Sequence, residues 1–129
     1  MWYECCENVE AIDALYAVPP DLSTIELHEV RTQRDGPLLQ LRFDLPVFPD
    51  RPPARWSDEA TVAQAVVDFW GVSNFMLDGW ETSNHGELTI EQLPEGVLLV
   101  AFESPVSRLH CRSSFARIAS VKAYAQEAV

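Results

Sequence analysis

The chain has 129 residues, 47% of them hydrophobic, and its 20 acidic and 9 basic residues give a formal net charge of −11. This length predicts one domain over residues 1–129, with enough apolar content for a core that needs no disulfide or metal. The negative charge disfavours direct nucleic-acid binding, because it repels phosphates, and it steers basic partners towards the protein.

The N-terminal segment is acidic, and no apolar run has the length of a membrane span. We therefore expect a soluble, cytoplasmic protein without a membrane interaction. The cysteines are odd in number and two are adjacent, at Cys5, Cys6 and Cys111. This pattern predicts reduced thiols that serve as small apolar side chains.

The first element predicted is an α-helix over residues 8–17, with Asn8 as its N-cap. Pro19-Pro20 would end it. Apolar residues recur inside it at helical spacing, at Val9, Ile12 and Tyr16.

From Thr24 onward the apolar residues alternate, which predicts strands. A β-bulge near His28-Glu29 would bring Leu27 and Val30 into phase, and Asp35-Gly36 predicts a two-residue type I′ hairpin turn. The strand after this turn should have one buried and one wet face. Its apolar face carries Leu39, Leu41, Phe43 and Leu45, and its polar face carries Gln40, Arg42 and Asp44.

Prolines at 46, 49, 52 and 53 predict an extended connector that ends at Trp56. Residues 61–70 fit a helix or a strand, and we favour the strand. Residues 115–124 fit either. Trp70 and Phe75 lie in apolar runs and are interpreted as core residues.

Further apolar segments at 72–80, 88–91 and 97–102, and one around Leu109 and Cys111, predict additional short strands. The segment 97–102 is apolar on both faces and should be a central strand. The fold class predicted is mainly β: an antiparallel β-sandwich or strongly curved half-barrel, with one short N-terminal α-helix and seven or eight strands after it.

The sequence carries no pattern typical of catalysis or nucleotide binding. His28 and Glu29 could share a metal only if the bulge turned both side chains outward, and a structural role for His28, bonding to backbone, is the favoured interpretation. We therefore predict no catalytic residue, no metal ligand, no cofactor and no enzymatic activity.

A partner-binding site is instead predicted around the proline connector and the wet face of the second strand. An aromatic residue with acidic neighbours suits an interface anchor. The residues predicted to contribute are Asp44, Asp50, Trp56, Asp58 and Glu59.

Several segments resemble the immunity protein 50 family of bacterial polymorphic toxin systems. They include LHEV at 27–30, RDGP at 34–37 and, most specifically, LRFDLPVFPDRPPARW at 41–56. Shorter matches lie at 77–80 and 121–124, so the resemblance spans nearly the whole chain. It implies a non-enzymatic cytoplasmic inhibitor that binds a cognate toxin, and it favours strands at 61–70 and in the C-terminal segment.

The partner implied is a protein toxin, and a basic toxin such as a nuclease would suit the acidic surface. We expect a monomer or a weak homodimer, because an open sheet edge can pair with a second copy. The alternative function is a small-ligand-binding β-sandwich module with a pocket around Trp56 or Trp80.

Overall fold

Nine strands form one mixed sheet in the computed structural model, which describes residues 1–126. The strands are β1 (Cys6–Glu7), β2 (Ile25–Gln33), β3 (Leu38–Asp44), β4 (Val62–Trp70), β5 (Ser73–Asp78), β6 (His85–Gln92), β7 (Leu98–Glu103), β8 (Arg108–Ser113) and β9 (Phe115–Tyr124). Their order in the sheet is β1-β9-β4-β3-β2-β6-β7-β8-β5. The pair β1–β9 is parallel and the others are antiparallel. The mainly-β prediction is confirmed.

The sheet has two halves that share one hydrophobic core. In one half, strands β3, β4 and β9 contribute Leu41, Phe69 and Ile118, and in the other, strand β7 contributes Val100 and Phe102. The halves are joined where Ile25 and Glu26 of β2 pair with Gly86 and His85 of β6. The sheet is therefore continuous, and the predicted β-sandwich of separate sheets is not confirmed.

The N-terminal helix is much shorter than predicted. It is reduced to a 3-10 turn at Trp2–Cys5 and a single α-helical turn, α1, at Glu10–Asp13. Asn8 does not cap it: Val9 holds the N-cap position, and no side-chain bond caps the helix. Asn8 has a φ of 63° and donates its side-chain amide to the carbonyl of Ile118, at 2.8 Å. The side-chain amide of Asn8 therefore bonds to the backbone of β9 and does not cap α1.

The bulge predicted in β2 is confirmed by a shift of register between Leu27 and Glu29. The prediction of a two-residue turn at Asp35-Gly36 is wrong. The last pair of the hairpin is Gln33 with Leu38, so the loop has the four residues 34–37, and only Gly36 among them has positive φ. A two-residue turn would need the N–H of residue 37 to close it, and Pro37 has none.

The alternation predicted for β3 is confirmed, because its apolar residues are buried and Gln40, Arg42 and Asp44 lie on the other face. The strand favoured for residues 61–70 is confirmed as β4, Val62–Trp70, with Ala63, Ala65, Val67 and Phe69 buried. Trp70 follows in the opposite phase. Its ring stacks on Phe115 at 6.3 Å between centroids, on the outer face, so its interpretation as a core residue was wrong.

The later strands follow the apolar runs. Residues 115–124 form β9, which settles the strand interpretation over the helix. Strand β7 lies between β6 and β8, as expected for a segment that is apolar on both faces. Phe75 lies on the edge strand β5 and is 38% exposed, so it is not a core residue.

The three cysteines are free thiols, and Cys6 and Cys111 are buried. Burial, with a further contribution from neighbouring Cys5, raises the pKa of Cys6 to about 12, and burial alone raises the pKa of Cys111 to about 11. These two residues therefore act as small apolar side chains, as predicted. Within residues 1–126, no helix has both the length and the apolar character needed to cross a membrane.

Candidate functional site

The outer face of β3, β4 and β9 carries a polar network centred on Asp44. The period of two places Asp44 of β3 on this face, and the strand register puts Gln64 of β4 directly opposite. In the next pair, Gln64 lies opposite Lys122 of β9, so Tyr124, two residues further along, is on the same face. Three strands distant in sequence thus bring these side chains together.

Three donors surround the carboxylate of Asp44. The Tyr124 hydroxyl donates to Oδ2 at 2.6 Å, and His28 Nε2 lies 2.8 Å from the same oxygen. The side-chain amide of Gln64 donates to Oδ1 at 3.0 Å. The Asp44 side chain is only 13% exposed, so these bonds are partly shielded from water.

The network continues along the face. Arg42 donates to Gln64 Oε1 at 3.1 Å, and its Nε lies 3.6 Å from a carboxylate oxygen of Glu29. On the neighbouring pair, Gln40 donates to Asp68 at 2.8 Å. Such mutual bonding holds the side chains in place before any partner arrives, which lowers the entropic cost of binding.

The β2 bulge explains the position of His28. Glu26 pairs with Asp44 and Glu29 pairs with Arg42, so His28 is the extra residue of the bulge. Its ring contacts the Asp44 side chain and not backbone, contrary to the expectation from sequence. Residues 1–126 contain no group of three His, Cys, Asp or Glu side chains placed to hold a metal ion.

Next to the network lies an open cleft of about 580 Å³. Two carboxylates line it, those of Glu26 and Asp44, and its described lining contains no Lys or Arg, so we call it the acidic cleft. His28, His85 and the ring of Phe48 also line it. His85 Nδ1 lies 3.5 Å from a Glu26 carboxylate oxygen. An open cleft lined by partly shielded carboxylates suits a Lys or Arg side chain of a partner.

The network shifts the titration of Tyr124. Partial burial, followed by the hydrogen bond to Asp44, raises its pKa to about 12. Since the folded pKa is above the ordinary value of 10.0, the neutral hydroxyl stabilises the fold fully below that value. The contribution is lost as the pH rises from there through the folded pKa.

We expect Tyr124→Phe to reduce the late-titrating part of the tyrosinate absorbance, to which Tyr16 also contributes because burial raises the pKa of Tyr16. Ultraviolet titration of the two proteins measures this. Tyr3→Phe is the control, since Tyr3 makes no bond to a carboxylate within residues 1–126. A Tyr124→Phe curve that differs from wild type only near the ordinary tyrosine pKa would contradict the assigned bond.

The residues predicted to bind a partner lie at separate places. Asp44 is the centre of the network. Asp50 accepts a hydrogen bond from the backbone N–H of Ala17 at 3.1 Å and so anchors the proline connector. Trp56 is half-buried, packs edge-on against Phe48 at 6.0 Å, and lines a different cleft. The remaining two residues, Asp58 and Glu59, are exposed in the turn that follows.

Sequence reasoning missed the contributions of His28, Gln64 and Tyr124. Gln64 could have been found from the alternation of β4, which places it on the face opposite to Ala63 and Ala65. Tyr124 depends on the register between β4 and β9, which shifts at Val66 and Val67. The sequence gives no sign of that shift.

The sequence model of the family described as immunity protein 50 matches residues 8–124. The chain belongs to the immunity protein 50 family. The match includes every strand from β2 to β9 and ends at Tyr124, so the whole Asp44 network lies inside the family domain. No curated protein and no solved structure matches this chain.

Proposed function

We propose that this member of the immunity protein 50 family binds a cognate polymorphic toxin in the cytoplasm and neutralises it by occupying a surface the toxin needs. It does so without catalysing a reaction. The observation that carries the proposal is the ordered, partly shielded polar face around Asp44, beside the acidic cleft, in a chain of this family.

Charge supports a basic toxin, such as a nuclease. The net charge of −11 attracts a basic partner over a distance of roughly 10 Å at 0.1 M salt, the Debye length. At contact, the carboxylates of Glu26 and Asp44 in the acidic cleft offer acceptors for Lys or Arg. Long-range steering and local acceptors therefore favour the same class of partner.

The bonding of Asp44 favours recognition over proton transfer. Both oxygens of the carboxylate already accept hydrogen bonds, from His28 and Tyr124 on one side and from Gln64 on the other. These contacts fix the position of the carboxylate. A fixed acceptor suits an interface.

Co-expression tests the proposal. A candidate toxin domain, taken from a gene adjacent to the gene of this chain, is expressed in bacteria without this chain and together with it. An inactivated variant of the same toxin domain is the control for toxicity. We expect wild type to restore growth and to co-purify with the toxin domain. Growth arrest in the presence of soluble wild-type protein would contradict the proposed function. The association rate should also fall as salt is added, and a rate indifferent to salt would reject the steering component.

A further inference from the structure

A second cleft, of about 590 Å³, lies between α1, the proline connector and β9. Arg51, Arg55 and Lys122 line it, together with Trp56 and Ser120. Its described lining contains no Asp or Glu. We call it the basic cleft. Three of the nine basic residues of a strongly acidic chain thus gather at one place.

Most basic side chains elsewhere on the surface are paired, and within residues 1–126 the exceptions are Arg31 and Arg117, which lie singly on β2 and β9. Four arginines have a carboxylate oxygen within 4 Å: Arg34, Arg42, Arg108 and Arg112. Among residues 1–126, by contrast, no carboxylate lies within that distance of Arg51, Arg55 or Lys122. The chain has 20 acidic residues, yet none of those described pairs with the three basic residues of the basic cleft. Their N–H groups therefore remain available as hydrogen-bond donors to the carboxylates of a partner.

The fold holds this cleft in shape. The backbone N–H of Arg51 donates to the carbonyl of Leu15 at 3.0 Å, and that of Trp56 donates to the carbonyl of Pro53 at 3.0 Å. The carboxylate of Asp50 is turned to the backbone N–H of Ala17 and does not line the cleft. These hydrogen bonds hold the proline connector in place, with Arg51 and Arg55 at the basic cleft and the carboxylate of Asp50 outside it.

The basic cleft is continuous with the proposed binding face. Lys122 lines it and also lines a smaller cleft of about 400 Å³ together with His28, Arg42, Gln64 and Tyr124. The Asp44 network and the basic cleft are therefore adjacent on the surface, and one partner could contact both. The acidic cleft and the basic cleft thus present opposite charges to that partner.

We propose that the basic cleft receives an acidic segment of the toxin, with two or more carboxylates that pair with Arg51, Arg55 and Lys122. This inference rests on the proposed function. A free small anion is disfavoured by the overall charge of −11. A segment tethered to a toxin already docked on the Asp44 face has a high effective concentration, so it overcomes that repulsion. The cleft then fixes the orientation of the toxin and selects against basic proteins that lack the segment.

The test compares the dissociation constants of wild type, R51Q/R55Q and R34Q/R108Q for the inactivated candidate toxin domain of the co-expression experiment. Both variants lose two positive charges, and all four side chains are exposed. We expect R51Q/R55Q to weaken binding about tenfold, from two solvent-exposed ion pairs, while R34Q/R108Q changes it less than about twofold.

The sign of the effect is diagnostic. A partner that is basic throughout would bind R51Q/R55Q more tightly than wild type, because the variant is more negative. Tighter or unchanged binding would overturn the basic-cleft inference and leave the proposed function standing, whereas no binding by wild type would overturn both. A further arm of the test measures the binding of pyrophosphate to this chain in the absence of the toxin domain. Tight binding that R51Q/R55Q abolishes would assign the cleft to a small phosphate ligand and overturn the inference.

Discussion

Replacing Asp44 with alanine is expected to lower the free energy of unfolding by about 2 kcal/mol, the scale of losing hydrogen bonds to a charged acceptor. The carboxylate accepts from Tyr124, His28 and Gln64, and its side chain is 13% exposed. Its removal leaves three polar groups without their common partner. Urea denaturation followed by tryptophan fluorescence measures the change.

Asp35→Ala is the matched control for Asp44→Ala. Asp35 lies in the hairpin loop with a 93% exposed side chain, and its contact with Arg34 at 3.7 Å is fully open to water. The same charge is removed, but the expected loss is within about 0.5 kcal/mol. Equal losses in the two variants would show that Asp44 acts only through overall charge and would contradict the network.

Gly86→Ala is expected to cost about 3 kcal/mol, the upper part of the range for forcing extra atoms into a packed site. A Cβ at this position would collide with the backbone carbonyl oxygen of Glu103, which cannot move aside as a flexible side chain could. Gly86 also pairs with Ile25 at the junction between the two halves of the sheet. We expect a lower urea midpoint.

Gly96→Ala separates this collision from a general effect of losing glycine. Gly96 has a φ of 93°, and no heavy atom lies within 4 Å of the position that a Cβ would take, so alanine there meets only the backbone preference. That preference costs about 1 kcal/mol. A loss for Gly96→Ala as large as for Gly86→Ala would contradict the assigned close contact.

The parts of the fold governed by local alternation could be predicted. The period of two in Leu39, Leu41 and Phe43 assigned the buried face of β3, and therefore placed Asp44 on the outer face. The out-of-phase Val30 predicted the bulge that positions His28. Both are consequences of side chains pointing alternately to opposite faces of a strand.

Features that depend on distant pairing could not be predicted. Tyr124 reaches Asp44 across 80 positions of sequence, through a shift of register in β4–β9. Trp70 reads as a core residue by its hydrophobicity, but the phase of β4 places it outward. The two-residue turn failed for a local reason, since Asp35-Gly36 is followed by a proline.

Net charge concealed the basic cleft. The sequence predicted an acidic binding surface near the proline connector, with Asp50 and Trp56 as members. Folding turns Asp50 to the backbone of Ala17 and brings Arg51 and Arg55 beside Lys122. The net charge of the whole chain cannot show that basic residues cluster in one place, because the clustering depends on which side chains the tertiary fold brings together.

The proposed binding of the toxin over the Asp44 network can be examined by NMR chemical-shift mapping of this chain with the unlabelled, inactivated toxin domain. We expect the largest chemical-shift changes at the side-chain amides of Gln40 and Gln64 and at the ring of Tyr124. Changes concentrated instead at the exposed apolar end of the sheet, at Phe75 and Trp80, would contradict it.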